Sequence, residues 1–471
     1  MFGSPQDLLL TLRQVVGDDG VKSDIDVLRR YGRDETEDLC FLPDAVVRPR
    51  STGDVAKVLE LASRHRVPVT PRGGGTGLSG GALPVHGGWI LSLERLDRIR
   101  RVDDRNLLVE VEAGVVTGTL QRHLEEQKLF YPPDPASHER CMIGGNIAED
   151  SAGPRSCKYG STRRWVLGLE AVLADGRILR IGGDNRKDVA GYDLAQLLIG
   201  SEGSLAVVTA ATLRLVPLPP ARLTLALPFA DLEAAASSVT EIFRRGHNPA
   251  ACEILERRAL EAVGTIEPLP RGLDALEALL LLELDGRDAE SLIDDARRIA
   301  DDLAGDMAGE PIVAIDASDQ RRLWRIRDRV GEAVKGLSAY KEADTVVPRS
   351  ALAELVHAAR RAASEQGLEA VCYGHAGDGN LHVNLLKGSL SEEAWTRRRD
   401  AAESQLFAAV IALGGSISGE HGIGWTQRRF LPLLRSDALI DVMRRLKEAF
   451  DPVGILNPGK IFIEPNPRRP R

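Results

Sequence analysis

Nine histidines occur in the 471 residues, and three of them stand in two glycine-rich segments. His375 and His382 flank A-G-D-G-N-L, and His421 follows Glu420 in S-G-E-H-G-I-G. Glycines on both sides of Asp378 predict that the chain turns there instead of continuing as a helix, which brings the two imidazoles toward one point. Two imidazoles and one carboxylate suffice as protein ligands of a catalytic divalent metal, with positions left open for substrate. Structural roles for the same side chains are the alternative.

A different chemistry is written into residues 71–81, P-R-G-G-G-T-G-L-S-G-G, where Gly75, Gly77 and Gly80 satisfy G-x-G-x-x-G after a predicted strand at 67–70. A nicotinamide-binding turn must open a helix whose N-terminus faces the pyrophosphate. Here the continuation A-L-P-V-H-G-G-W-I leads to another strand. Anion binding must then come from the loop's own N–H groups, with Arg72 adding charge. Further glycine-rich stretches follow: Y-P-P-D at 131–134, then Gly144, Gly145, Asn146 and Gly153, and G-S-E-G-S-L at 200–205. Several backbone-rich loops in one domain suit a long ligand such as a dinucleotide, which needs contacts along about 20 Å.

Periodicity predicts the elements that carry these loops. Residues 54–65 have helical spacing, 89–93 and 107–111 alternate like strands around a D-D-R-N turn, and 117–128 form a helix ending near Tyr131. A hairpin is expected at 169–173 and 177–181, with Asp175-Gly176 in the turn. Two strands at 205–209 and 211–216 lead into P-L-P-P at 217–220, the predicted domain boundary. Helices at 231–245 and 288–303 then alternate with extended runs at 278–284 and 312–315, and the region from Ser350 repeats that rhythm, with a helix to Gln366 and a strand ending at Tyr373.

Composition bounds the class. A chain of 471 residues divides into about three compact units, or two larger ones, at roughly 150 residues each. Apolar residues at 43%, charged residues at 28%, 46 glycines and 25 prolines describe a soluble α/β or α+β protein. A net charge of −8 argues against a nucleic-acid-binding surface. Cys40, Cys141, Cys157, Cys252 and Cys372 are odd in number and contain no C-x-x-C pair, which excludes a disulfide framework and a protein-bound iron–sulfur cluster. The longest unbroken apolar run, 406–413, is far shorter than the ~18 residues of a spanning helix, so a cytoplasmic or membrane-peripheral location is expected. The basic tail at 465–471 is expected to be disordered.

Taken together and in this order, P-R-G-G-G-T-G-L-S-G-G, I-G-G-N-I-A-E-D-S-A-G-P, L-I-G-S-E-G-S-L-A-V-V-T, G-H-A-G-D-G-N-L-H-V, S-G-E-H-G-I-G and D-P-V-G-I-L-N-P-G-K-I-F span nearly the whole chain. This pattern resembles the FAD-linked 2-hydroxy-acid dehydrogenases of the vanillyl-alcohol-oxidase and p-cresol-methylhydroxylase superfamily, the group of D-lactate dehydrogenase, the glycolate oxidase flavin subunit and D-2-hydroxyglutarate dehydrogenase. The resemblance implies an α+β chain: a two-subdomain FAD-binding fold over residues 1–218, a substrate and metal domain with a helix-covered antiparallel sheet over 219–440, and a segment 441–471 returning to the FAD domain. It implies FAD contacts from Arg72, Gly73, Gly74, Gly75, Thr76, Gly77, Ser79, Pro133, Asp134, Gly144, Gly145, Asn146, Gly153, Glu202, Gly203 and Val208, with Asn380 and Asn457 approaching the flavin. Thr76 stands where some superfamily members carry a flavin-linked histidine, so the FAD is expected to be non-covalent.

The same resemblance makes His375, His382 and Glu420 the ligands of a divalent metal, zinc being the expected ion, and His421 the catalytic base. It makes Arg327, in W-x-x-R, the grip on the substrate carboxylate, assisted by Lys341 or Asn384. One turn after Arg327 stands Gly331, not the hydroxyl residue found where a second carboxylate is handled. The expected reaction is oxidation of a small 2-hydroxy acid, of D configuration by resemblance alone, with a hydride passing to flavin. Electrons would leave through a separate acceptor: an electron-transfer flavoprotein, a quinone, a cytochrome or an iron–sulfur subunit. A homodimer is left open. The alternatives are a dicarboxylate dehydrogenase of the D-2-hydroxyglutarate type and a zinc hydrolase using the His/Glu site alone, which would leave the first 218 residues idle.

Overall fold

The computed structural model describes residues 5–463 apart from 271, 274 and 275, so the basic tail at 465–471 lies outside the described residues. Contacts divide the chain into two compact units. The first comprises the chain up to Ser151, Ser161–Leu218 and the chain from Glu420; the second comprises Ala152–Gly160 and Pro219–Gly419. The return to the first unit thus begins at Glu420 rather than 441, and a short excursion at 152–160 belongs to the second.

In the first unit, strands β1 (Val21–Lys22), β2 (Ala45–Val47), β3 (Val69–Arg72) and β4 (Trp89–Ser92) form a sheet in the order β1-β2-β4-β3, parallel except for β1 against β2. Helix α1 (Thr52–His65) starts where the Ser51 hydroxyl accepts from the Asp54 N–H at 3.1 Å and stops at Arg66 in the left-handed region. Its Val55, Val58, Leu59, Leu61 and Ala62 fall at helical spacing and are buried in one core with Val47, Val69 and Leu91. Between β3 and β4 there is no helix. A nicotinamide-type βα turn is therefore absent, as the proline and glycines after Gly81 require.

A second sheet of β5 (Ile99–Asp103), β6 (Leu108–Glu112), β7 (Val166–Val172), β8 (Ile178–Gly182) and β9 (Val207–Arg214) is antiparallel in the order β5-β6-β9-β7-β8. Two expectations change here. The D-D-R-N turn joins β5 to β6, while the strand at 89–92 lies in the other sheet. Strand β5 reads I-R-R-V-D at a sheet edge with both arginines exposed, so it carries no alternating apolar signal. Residues 205–209 and 211–216 are chiefly one strand, β9, whose register shift between Val208 and Ala210 interrupts the alternation. The hairpin β7–β8 forms as expected, with Gly176 at φ +87°. Helices α2 (Thr117–Glu125) and α3 (Ile143–Glu149) complete what the site needs.

The second unit is built on seven strands: β10 (Ala221–Phe229), β11 (Ala251–Glu256), β12 (Ala278–Gly286), β13 (Ile312–Ala314), β14 (Tyr340–Val346), β15 (Glu369–Gly374) and β16 (Asn380–Leu386). They pair antiparallel throughout in the order β13-β10-β12-β11-β15-β16-β14. Helices α4 (Leu232–Arg244), α5 (Arg257–Gly264), α6 (Ala289–Leu303), α7 (Ala317–Lys335), α8 (Leu352–Glu365) and α9 (Glu392–Ala412) accompany it. Leu255, Leu279, Leu281, Val371 and Tyr373 project from one face and are buried with Leu260 and Val263 of α5 and Leu323, Ile326 and Val330 of α7. No helix among the described residues is long and apolar enough to cross a membrane.

Candidate active site

The first unit contains a cavity along the glycine loops. Arg72, residues 73–78, Gly144, Gly145, Asn146, Glu202, Gly203 and Val208 line it, and so do Glu420 and His421. Two of the glycines are sterically required: a Cβ on Gly74 would stand 2.2 Å from the Arg140 carbonyl oxygen, and one on Gly144 2.7 Å from the Ala113 Cβ. At Gly77 and Gly145 a Cβ would meet nothing within 4 Å, so these backbones face open space. Arg72 brings a guanidinium whose Nη1 is buried without a hydrogen-bond partner. Burial pushes its pKa below the ordinary arginine value against the pull of Asp34, Tyr31 and Glu94. A buried guanidinium nitrogen without a hydrogen-bond partner beside a glycine cradle fits a phosphate-bearing ligand.

The loop at 200–203 docks on the C-terminal carbonyls of α3, with Gly200 N–H donating to Ile147 at 3.0 Å and Glu202 N–H to Ala148 at 2.8 Å. Glu202 is thereby held at φ +53°, and its two carboxylate oxygens accept the N–H groups of Ile423 and Gly424, each at 2.8 Å. The Asn457 amide donates to the Gly81 and Glu202 carbonyls at 2.9 and 2.7 Å. Lys460 donates to the Leu83 carbonyl at 2.6 Å and to Asn457 at 3.0 Å, and burial, opposed by Glu202, Asp34 and Glu149, lowers its pKa to about 8. The Ser79 carbonyl accepts from Trp425 N–H at 2.8 Å. These bonds pin the segment that carries Glu420 and His421 to the cavity wall.

Ser79 and Asn457, expected as cofactor contacts, therefore act through that segment and do not line the cavity. Pro133 and Asp134 do not line it either; the Pro133 carbonyl accepts from Gln121 at 2.8 Å. Gly153 and Asn380 belong to the second unit. The Asn146 amide donates to the Thr117 hydroxyl at 2.7 Å, tying α3 to α2.

In the second unit, β15 and β16 form a hairpin whose turn ends at Gly379, φ +77°, with Tyr373 opposite His382. Strand β14 pairs with β16 so that Glu342 lies opposite Asn384 and Asp344 opposite His382. Side chains of directly opposed residues share a face. His382, Asn384, Glu342 and Asp344 therefore project together. Lys341 pairs with Leu385 and points to the other face, so the expected assistance from Lys341 beside Asn384 has no geometric basis. One-residue parity within a strand was beyond the motif match.

On the shared face, His375 Nδ1 lies 2.8 and 2.9 Å from the two carboxylate oxygens of Glu253, a fully buried residue of β11. Arg327 reaches down from α7 to pair with Glu253, and its Nη2 is 3.4 Å from His375 Nδ1. At 5% exposure Arg327 is not one of the solvated arginines of α7. Burial alone would raise the Glu253 pKa, but the charges of His375 and Arg327 outweigh it and hold the carboxyl below its usual range. His382 Nδ1 lies 3.2 Å from Glu342 Oε1. The two imidazole centroids are 5.4 Å apart at 82°. The hydrogen bond between His375 Nδ1 and Glu253 is the contact that a metal-binding histidine makes with an orienting outer carboxylate. Asp344 accepts from Asn380 at 2.7 Å and from the Gly419 N–H at 2.8 Å, which fixes the end of the second unit just before Glu420.

Sequence reasoning missed Glu253, Glu342 and Asp344. The signal was present as charged residues in strands of otherwise buried sequence, A-C-E-I-L-E and Y-K-E-A-D-T-V. Of the cysteines read as packing residues, Cys141 is buried yet also lines the cavity, while Cys157 lies against Gly377 in the second unit.

Comparison with known proteins gives two family matches. A family model described as an FAD binding domain matches residues 43–182, and one described as the C-terminal domain of FAD linked oxidases matches residues 218–461. The glycolate oxidase subunit GlcD of Bacillus subtilis is 39% identical over 438 residues, 92% of either chain. A D-lactate dehydrogenase of Archaeoglobus fulgidus is 38% identical over 416 residues, 88% of this chain and 90% of that one. In structure, substrate-bound p-cresol methylhydroxylase superposes with a TM-score of 0.78 over 98% of this chain and 97% of that one at 18% identity, a likeness of fold. A cavity lined by glycine loops, a buried arginine nitrogen without a hydrogen-bond partner beside them and the two family matches agree that this chain belongs to the FAD-linked oxidases.

Proposed function

We propose that the protein is a dehydrogenase of small 2-hydroxy monocarboxylic acids, passing a hydride to non-covalently held FAD and its electrons onward to a separate acceptor. Two relatives are named for glycolate and D-lactate, both 2-hydroxy acids with one carboxylate, and another for D-2-hydroxyglutarate, which has two. The observation that carries the reading is that Glu420 and His421 line the cavity formed by the FAD-binding loops. His421 would take the substrate hydroxyl proton from this wall, which an imidazole does well near neutral pH. Thr76 offers no nucleophile of the kind that links flavin through histidine, consistent with a dissociable cofactor.

The donor set fits a divalent metal: His375 and His382 are buried, and His375 Nδ1 is hydrogen-bonded to the Glu253 carboxylate. His375 and His382 would supply its imidazole ligands, and zinc suits such donors. Such an ion acidifies a bound hydroxyl and orients it. Glu253 would keep the His375 imidazole in the tautomer that presents Nε2. Arg327 and Asn384 are the groups for the substrate carboxylate, and Gly331 one turn further offers no hydroxyl for a second one.

The test is a screen of D- and L-2-hydroxy acids with an artificial dye acceptor, using the yellow holoprotein with and without a chelator. Turnover of short D-2-hydroxy acids that disappears on chelation and returns with zinc is expected. Turnover indifferent to chelation would remove the metal, and absence of a flavin band would remove the whole reading.

A further inference from the structure

The mechanism above leaves one buried acid of the cavity unused. Glu149, the last residue of α3, lines the cavity, and its Oε2 is buried without a hydrogen-bond partner. Opposite it stands Glu202. A Cβ on Gly422, the residue after His421, would lie 2.5 Å from Glu149 Oε2 and 3.0 Å from Glu202 Oε1, so both carboxyl groups crowd the same α-carbon. Their surroundings are unequal. Glu202 accepts two backbone N–H groups, whereas Glu149 meets Gly81 and Gly422, which offer no side-chain donor.

The neighbouring charges do not relieve this asymmetry. Asp34, a third acid, follows the helix at 25–31 and has its own unpartnered buried oxygen. Lys460, from the C-terminal segment, directs its ammonium to the Leu83 carbonyl and Asn457. Arg72 at the end of β3 faces Asp34, Tyr31 and Glu94, and Arg428 adds charge near Lys460. Glu420 and His421 line the same cavity. Two carboxylates sharing one desolvated site cannot both ionise cheaply, and the one without donors keeps its proton. Consistent with that geometry, burial together with Glu202 and Asp34 pushes the Glu149 pKa well above the usual carboxylate value, against the pull of Lys460.

We propose that Glu149 stands in the cavity as a neutral carboxylic acid and donates a hydrogen bond to the isoalloxazine ring of the bound flavin, beside His421. This rests on the reading that FAD fills this cavity. A neutral donor stabilises the electron density that reduction adds to the ring and so raises the flavin's midpoint potential; an ionised carboxylate in the same place would lower it. No proton is transferred in this role: the acid keeps its O–H, and the electrons come from substrate.

The experiment is redox titration of the purified holoproteins, wild type, Glu149→Gln and Glu149→Leu, followed by the flavin absorption band from pH 6 to 9, with flavin stoichiometry measured for each. Glu149→Gln replaces a neutral donor by a neutral donor and is expected to match the wild-type potential at pH 6. Glu149→Leu is expected to lie below both at pH 6. A Glu149→Gln potential more positive than wild type already at pH 6 would show the group ionised and overturn the proposal. A Glu149→Leu potential equal to wild type would overturn it as well. If Glu149→Leu fails to retain flavin, the comparison of wild type with Glu149→Gln decides alone. A wild-type protein without flavin would instead sink the underlying reading, so the two failures are told apart.

Discussion

Replacing Glu253 by glutamine removes the carboxylate that sits between Arg327 and His375 while keeping its size. All three side chains are at most 5% exposed, so the guanidinium is left as a buried cation without its counter-charge. Breaking one side of a buried, hydrogen-bonded ion pair costs about 3–5 kcal/mol. For a unit of roughly 200 residues, 1 kcal/mol corresponds to ~2–4 °C, so the second unit should melt roughly 10 °C lower in calorimetry. The pH dependence has a definite sign. Because the folded protein holds the Glu253 pKa below its ordinary value, its stabilisation is present above the unfolded carboxylate range and is lost as pH falls through the folded value. The gap between wild type and Glu253→Gln should therefore close in acid. The same substitution removes the acceptor that orients His375, and an outer-carboxylate loss of this type lowers metal affinity about 10–100-fold. Zinc titration followed by calorimetry reads that second effect. A variant that melts within 1 °C of wild type at pH 7 and binds zinc equally well would refute the assignment of Glu253 as counter-ion and orienter.

Glu256, at the end of β11, is buried and accepts from the Cys372 N–H at 2.5 Å, yet burial raises its pKa to about 7. A raised acid stabilises the fold below its unfolded value, and that contribution is lost as pH rises through about 7; the shift from 4.5 corresponds to roughly 3 kcal/mol. Denaturant unfolding at pH 5 and pH 8 should show Glu256→Gln losing less stability on going to pH 8 than wild type, and equal losses would contradict the assignment. Gly379 combines φ +77° with a space in which a Cβ would lie 2.0 Å from the Val347 carbonyl oxygen. Gly379→Ala should therefore lose at least ~1–2 kcal/mol of stability and loosen the spacing of His375 and His382. Unchanged unfolding together with unchanged zinc affinity would show that the turn does not need this glycine.

Much of the architecture was legible because its signals are local. Helix α1 announced itself by the spacing of Val55, Val58, Leu59, Leu61 and Ala62, and the β7–β8 hairpin by Asp175-Gly176. The missing helix after Gly81 was readable from a proline and two glycines. Strand β5 was invisible because an edge strand with exposed arginines carries no apolar alternation. The glycine loops were legible for a related reason: a backbone that must approach a ligand or another chain segment tolerates no Cβ, and that requirement appears directly as residue type.

What the sequence by itself determined is the set of groups able to do chemistry: the glycine cradle with Arg72, the histidine-bearing turn at 375–382 and the Glu420-His421 pair. What only the tertiary structure decided is which carboxylates face them. Glu253 meets His375 from 122 positions away, and Glu149 meets Glu202 across Gly422. Lys341 is turned away by the pleat that turns Glu342 inward. A pKa or a tautomer depends on distances through folded space and on exclusion of water, and neither quantity is encoded in the spacing of residues along a chain.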